Sequence, residues 1–257
     1  MAEFETLILD AEAPIARITL DRPKQLNALS PRALEELITA AHELAAIPGL
    51  KVVVLQGSGR AFSAGFDIDA VGEASGRDRV DLGRRMADAV TGIPALTLAA
   101  IHGHCVGGAV VLAAACDIRV AAEGTRFTIP EVDLGIPLAW GGIPRLVREL
   151  GPAVTKELVI SCRPFSAAEA HGLRFINRVV PDAELEAEVE TMAAQLAAKS
   201  GFLIRHTKEL VDAVVEEAYS TGQSFRDAEV TLAAAQDEES RAASQRYLQS
   251  RGRRGSE

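Results

Sequence analysis

The sequence predicts an α/β fold built on a mostly parallel β-sheet, and the alternation of two patterns leads to this expectation. Apolar runs at 50–55, 96–101 and 118–121 have the length and composition of strands that are buried on both faces. Helical patterns lie between these runs, and strands that alternate with helices are typical of parallel sheets. The last part of the chain has no strand pattern, so we expect a core at 1–199 and a helical region at 200–257.

Local signals define the elements of the first part of the chain. Apolar runs at 4–9 and 15–20 predict two strands joined by a hairpin turn. Ser30 followed by Pro31 indicates the start of a helix, because serine caps free N–H groups and proline fits the first turn. The segment 72–81 is rich in glycine and charge, and it predicts a mobile loop before the next helix.

Helical spacing of apolar residues dominates the second part of the chain. Ser166 and Glu169 have the spacing of a capping box, which marks a helix start. The other predicted elements are helices at 109–115, 151–160, 166–171 and 182–199, a strand at 175–180 and three amphipathic helices after residue 200.

Composition excludes several classes of protein. The chain has 257 residues, is 48% hydrophobic and carries a net charge of −9, which favours a folded protein and argues against nucleic-acid binding. The uncharged stretch between Asp88 and Asp117 is interrupted by glycine, proline and histidine, so we expect no membrane span. The three cysteines lack metal-site spacing, and the first residues lack a secretory pattern. We therefore expect a cytoplasmic protein without a metal.

Several catalytic motifs are missing or incomplete. The sequence has no dinucleotide-binding glycine motif, no phosphate-binding loop and no HExxH motif. Ser63 is one residue away from the pattern of a hydrolase nucleophile, and Asp117 and His171 follow it in the order of a hydrolase triad. A turn at 57–60 separates Ser63 from the preceding strand, which argues against a nucleophile elbow.

Two glycine-containing turns, 62–68 and 102–109, each follow a predicted buried strand. Free N–H groups at Ala64 and Gly108 are placed to point at one oxygen atom. Two such donors form an oxyanion hole, and each stabilises a developing oxyanion by roughly 3–4 kcal/mol. The alternative interpretation is that these glycines only permit tight turns and close packing.

Glu131 is the candidate proton-transfer group. It lies among apolar residues in the segment 127–137, and an unpaired carboxyl group in such surroundings has a raised pKa. A pKa near neutrality suits general acid–base catalysis. The alternative is a solvated or salt-bridged glutamate at the end of a strand.

Taken together, these segments resemble the crotonase, or enoyl-CoA hydratase/isomerase, superfamily. The segment 22–29 is similar to the RPxxxNAL motif of that family, and the likeness continues through 61–68, 101–118 and 130–145. The resemblance implies a spiral of ββα units with C-terminal helices that build homotrimers, often paired into hexamers. It also implies an acyl-CoA thioester substrate and no cofactor beyond the coenzyme A of that substrate.

The resemblance also assigns roles to individual residues. It places the thioester oxygen between the N–H groups of Ala64 and Gly108, and Glu131 matches one of the two catalytic glutamates of the hydratases. The other glutamate position holds Val111, which neither accepts a proton nor orients water. The Δ3,Δ2-enoyl-CoA isomerases of mitochondrial type keep only the glutamate at the Glu131 position. Dienoyl-CoA isomerases have an aspartate where this chain has Ala139.

The remaining candidates are substrate-binding residues. Arg22 and Lys24 are expected to meet the phosphates of coenzyme A, with solvated surface charge as the alternative. The expected lining of the acyl site consists of Phe62, Phe66, Ile68, Val111, Leu138 and Trp140. The preferred activity is therefore Δ3,Δ2-enoyl-CoA isomerisation. A hydratase or related lyase with an atypical site, and a non-catalytic acyl-CoA binder, are the alternatives.

Overall fold

The computed structural model describes residues 3–68 and 77–254, which form one large sheet, one small sheet and a set of surrounding helices. The large sheet has the order β1-β2-β3-β4-β6-β9, and all its neighbours are parallel except β1 and β2. The small sheet has the order β5-β7-β8. The strands are β1 (Leu7–Asp10), β2 (Ile15–Leu20), β3 (Val52–Gly57), β4 (Leu96–Ile101), β5 (His104–Val106), β6 (Ile118–Ala122), β7 (Arg126–Thr128), β8 (Phe165–Ser166) and β9 (Arg178–Val180).

The helices cover both faces of the large sheet and make up the end of the chain. Among the residues described, none of them is long and apolar enough to cross a bilayer. The α-helices are α1 (Pro31–Ala45), α2 (Arg77–Thr91), α3 (Gly108–Ala114), α4 (Gly142–Ser161), α5 (Ala167–Gly172), α6 (Leu185–Ala197), α7 (Gly201–Ala218), α8 (Asp227–Ala234) and α9 (Glu238–Arg254).

The mostly parallel sheet and the helical end of the chain are confirmed, with three corrections to the predicted elements. The helix predicted at 151–160 is the second part of α4, which begins earlier and is interrupted where Gly151 leaves the helical conformation. Residues 77–81 of the predicted loop belong to α2, and residues 72–76 lie outside the described residues. The small sheet was not predicted, because strands of two or three residues have too little pattern to detect.

The central strands are buried on both faces, as their apolar runs predict. Val53 and Leu55 of β3 face a core that includes α1, α2 and α3. Val52 and Val54 alternate with them and face a second core against α6. Successive side chains of a strand point to opposite faces, so one apolar run supplies both cores.

The segments that follow β2, β3 and β4 meet at one edge of the large sheet, since the carboxyl ends of parallel strands share an edge. Leu29 forms a bridge with Phe66, and Ser63 forms a bridge with Cys105 of β5. These two bridges join the RPxxxNAL segment, the first glycine turn and the second glycine turn. The three motifs of the sequence analysis therefore lie together.

Asn27 fixes the first two of these segments against each other. Its side-chain amide is buried and donates hydrogen bonds to the carbonyl oxygens of Ser58 and Ala61, both at 2.8 Å. Its side-chain oxygen accepts a hydrogen bond from the N–H of Arg22 at 2.9 Å. Its backbone has a φ of 55°, a left-handed conformation that asparagine tolerates better than most residues.

We predict that Asn27→Ala lowers the free energy of unfolding by about 2–3 kcal/mol, because it leaves two carbonyl oxygens and one N–H without partners. Urea unfolding followed by circular dichroism measures the change. Gln25→Ala, an exposed substitution in the same turn, is the matched control and should have little effect. Equal stability of the two variants would show that the Asn27 contacts are dispensable.

Candidate active site

The expectation of a free N–H group at Ala64 is wrong. The Ala64 N–H donates a hydrogen bond to the carbonyl oxygen of Leu26 at 2.8 Å. Leu26 has a left-handed conformation with a φ of 51°, and it ends the short 3-10 helix Pro23–Gln25. Ala64 therefore anchors the first glycine turn to the RPxxxNAL segment instead of facing a ligand.

The free donor of this turn belongs to Phe66, two residues further along. Leu29 donates to the carbonyl oxygen of Gly65 at 2.8 Å and accepts from the N–H of Asp67 at 3.2 Å. Because N–H groups alternate in direction along an extended segment, the N–H of Phe66 points away from Leu29. No described residue accepts a hydrogen bond from it.

Gly108 provides a second donor close by. It is the first residue of α3, where an N–H group has no partner within the helix, and no described residue accepts from it. A Cβ atom built on Gly65 would lie 3.4 Å from the nitrogen of Gly108. The turn that contains Phe66 therefore packs directly against the start of α3.

Glu131 lies beside this pair of donors. A Cβ atom built on Gly107 would lie only 2.4 Å from Oε1 of Glu131, so the carboxyl group rests on the glycine that precedes Gly108. Gly107 also has a φ of 52°, which favours glycine on conformational grounds. No other residue type would allow this close approach.

The carboxyl group of Glu131 is buried and unpaired. Glu131 is 8% exposed, and its buried Oε2 atom has no hydrogen-bond partner among the described residues. Burial raises the pKa of this carboxyl group from 4.5 to about 7, because the charged form loses its hydration. The segment 131–135 forms a turn and not an extended strand end, and Asp133 within it is exposed.

Trp140 covers the other side of Gly108. A Cβ atom on Gly108 would lie 2.2 Å from Cζ3 of the indole, so the ring can occupy this position only because residue 108 is a glycine. The ring of Phe66 meets the indole edge to face, with 5.9 Å between the ring centroids. Phe66, Gly108 and Trp140 therefore form one contact group around the two free N–H groups.

Three predicted lining residues form the floor of the site and its supporting core. Phe62 and Val111 have no exposed surface, so neither reaches a ligand without a rearrangement, and their expected direct contact with substrate is not supported. Leu138 is 3% exposed. A Cβ atom on Gly142 would lie 2.8 Å from Val111 and 2.9 Å from Leu138, so these side chains pack against the start of α4.

The guanidinium group of Arg22 is held by contacts within the protein. It donates to Asp67 at 2.8 Å and to the carbonyl oxygen of Ala28 at 2.6 Å. This pairing holds the turn that carries Phe66, and it makes Arg22 a poor candidate for phosphate binding.

Ile68, another residue expected to line the acyl site, is half-buried at the end of the turn that carries Phe66.

Lys24 and Arg60 are the exposed cations near the site. Neither has an acidic partner among the described residues. They lie on adjacent turns, because a Cβ atom on Gly59 would be 2.9 Å from Cβ of Pro23. No motif in the sequence marks Arg60, and only the contact between the two turns identifies it.

The hydrolase interpretation fails in the structure. The Ser63 hydroxyl group is buried and donates to the carbonyl oxygen of Asn27 at 2.8 Å. Asp117 accepts a hydrogen bond from Lys208 at 2.8 Å. The Ser63 hydroxyl group therefore serves the backbone, and Asp117 pairs with a lysine and not with a histidine.

Two free N–H groups beside an unpaired carboxyl group suit the chemistry of an enolate. The N–H groups stabilise an oxyanion, and a carboxyl group with a pKa of about 7 exchanges a proton with an adjacent carbon. This combination needs a substrate whose carbonyl group lies next to an acidic carbon.

Comparisons with known proteins place these features in a family. A family model described as enoyl-CoA hydratase/isomerase matches residues 10–253. A probable enoyl-CoA hydratase, echA8, of Mycobacterium tuberculosis is 33% identical over 230 residues, which cover 85% of this chain and 86% of that protein. A peroxisomal delta(3,5)-delta(2,4)-dienoyl-CoA isomerase of Arabidopsis thaliana is 32% identical over 230 residues, which cover 82% of this chain and 83% of that protein.

A solved structure agrees with these relatives. A Thermobifida fusca protein crystallised in complex with CoA has a TM-score of 0.76 and 30% identity, over 90% of this chain and 93% of that one. The fold class expected from the resemblance is therefore confirmed. This chain belongs to the enoyl-CoA hydratase/isomerase family of the crotonase superfamily.

Proposed function

We propose that this protein is a Δ3,Δ2-enoyl-CoA isomerase. The observation that carries the proposal is the single buried carboxyl group of Glu131 beside the free N–H groups of Phe66 and Gly108. The acyl-CoA substrate class is supported by the family and by the relative crystallised with CoA.

The reaction moves one proton along the acyl chain. The carboxylate of Glu131 removes a proton from C2 of a 3-enoyl-CoA, and the C–H electron pair forms a dienolate. The negative charge moves to the thioester oxygen, where the N–H groups of Phe66 and Gly108 stabilise it. The carboxylic acid then returns the proton to C4, which leaves the double bond between C2 and C3.

Hydration is the second candidate, because a similar protein has the name of a probable hydratase. Against it stands the residue at the position of the second glutamate. Val111 occupies the position of the second glutamate and has no exposed surface, and the Trp140 ring packs on Gly108. A water molecule there would lack a polar side chain to orient it.

The oligomer is also part of the proposal. One face of α7 exposes large apolar side chains, and Phe202, Leu210 and Val214 are each 68–70% exposed. An exposed apolar face of this kind is typical of an interface between subunits. We propose that α7 contributes to a homotrimer or to a hexamer of two trimers.

The first test uses the ultraviolet absorbance of the conjugated thioester. With a short 3-enoyl-CoA, absorbance should rise, and with a 2-enoyl-CoA it should not fall. Glu131→Gln should lower turnover at least about 100-fold while acyl-CoA binding remains, because the amide cannot carry the proton. Asp133→Asn, which changes an exposed carboxyl group two residues away, should keep turnover. Rapid loss of 2-enoyl-CoA absorbance would favour hydration.

The second prediction concerns pH. The base form of Glu131 increases as pH rises through its pKa of about 7, so kcat/KM should increase about tenfold between pH 6 and pH 8.

The contribution of Glu131 to the free energy of unfolding should fall as pH rises. Folding favours the protonated carboxyl group, so the penalty for ionising Glu131 is absent below pH 4.5 and complete above about pH 7. Glu131→Gln should therefore gain stability relative to wild type over this window, by up to about 3 kcal/mol. A stability difference that is constant from pH 4 to pH 8 would contradict a raised pKa.

A further prediction concerns the oligomeric state. The joint substitution of Leu210 and Val214 by lysine should dissociate the oligomer, because it places charge in an apolar interface. Sedimentation velocity measures the mass. Ile8→Lys, which changes an exposed apolar residue on the edge strand β1, is the control. A wild-type monomer would contradict the proposal.

A further inference from the structure

The indole of Trp140 lies beside Phe66 and Gly108, the two residues that carry the free N–H groups. The ring packs on Gly108, and it forms an edge-to-face contact with the Phe66 ring, with 5.9 Å between the centroids. A thioester oxygen held by these two residues therefore has the indole as its neighbour. Glu131 lies on the other side, on Gly107.

The indole also packs on α2. A Cβ atom built on Gly83 would lie 2.1 Å from both Cδ2 and Cε2 of Trp140. The ring thus bridges the gap between α2 and the start of α3, and it fits because both helices have a glycine at the contact. Val111 and Leu138 are both buried and pack against Gly142 of α4.

The backbone holds Trp140 in an unusual conformation. Its φ of 63° is left-handed, which is costly for a large residue and persists where neighbouring contacts fix it. The next residue, Gly141, donates its N–H to Asp227 of α8 at 2.8 Å. Arg145 donates to the carbonyl oxygen of Gly141 at 3.3 Å and to Asp88 of α2 at 2.8 Å. Three helices therefore fix the turn that carries the indole.

We propose that Trp140 sets the acyl-chain length of this protein and restricts it to short chains. The proposal rests on the proposed function, because the reaction requires Glu131 to reach C2 and C4 and hence a chain of four carbons. The indole closes the space beyond those carbons between α2 and α3. Longer chains must displace a ring that three helices hold in place.

The test measures binding and not turnover. Isothermal titration calorimetry with butanoyl-CoA and octanoyl-CoA uses saturated ligands that the enzyme cannot isomerise. Wild-type protein should bind butanoyl-CoA at least about tenfold more tightly than octanoyl-CoA. In Trp140→Ala this ratio should fall to about one or reverse, because the cavity accepts the longer chain. Trp140→Phe, which keeps a ring and is the safer variant for folding, should lie between them.

Ile8→Ala is the matched control, since it removes an exposed apolar side chain of the edge strand β1 and should keep the wild-type ratio. Equal wild-type affinity for the two ligands, or a ratio unchanged in both Trp140 variants, would overturn the chain-length proposal and leave the isomerase proposal standing. If neither acyl-CoA binds, both proposals fail. Isomerase activity of the wild type is measured separately, so loss of one proposal is distinguished from loss of the other.

Discussion

The close contact between Glu131 and Gly107 is the constraint on which the site depends. It places a carboxyl group next to the residue whose successor, Gly108, begins α3 with a free N–H. The same burial that brings the carboxyl group to the donors also removes it from water, and this raises its pKa to about 7. Position and proton affinity therefore have one structural cause.

The arrangement also couples the site to the parallel sheet. The segments after β2 and β3 are held together by the buried amide of Asn27 and by the hydrogen bond from Ala64 to Leu26. Arg22 and Asp67 add an ion pair across the same contact. With its other polar groups occupied in this way, the turn presents the N–H of Phe66 towards α3. The residues of the RPxxxNAL motif thus act on the chemistry through the backbone that they hold.

Much of the fold follows from local sequence. β2 and β4 occupy the predicted ranges, because β-branched and apolar runs with clear boundaries specify buried strands. Ser30 and Ser166 cap helices as predicted, each accepting a hydrogen bond from an N–H three residues later. The small sheet and the true start of α4 were missed, since short strands and a helix interrupted by Gly151 leave little local pattern.

The site was only partly predictable. Glu131 and Gly108 follow from apolar surroundings and from a helix start. The prediction assigned the free N–H donor to Ala64 instead of Phe66. The direction of each N–H group in this turn depends on pairing with Leu29, which is distant in the sequence. The ion pair of Arg22, the exposed position of Arg60 and the contact of Trp140 with Gly83 likewise depend on segments that meet only in the folded chain.

A crystal structure with butanoyl-CoA bound tests the central claim most directly. The thioester oxygen should lie about 3 Å from the backbone nitrogens of both Phe66 and Gly108. The carboxyl group of Glu131 should face C2 of the acyl chain. A thioester oxygen bound by other donors, or a Glu131 carboxyl group turned away from the acyl chain, would contradict the account.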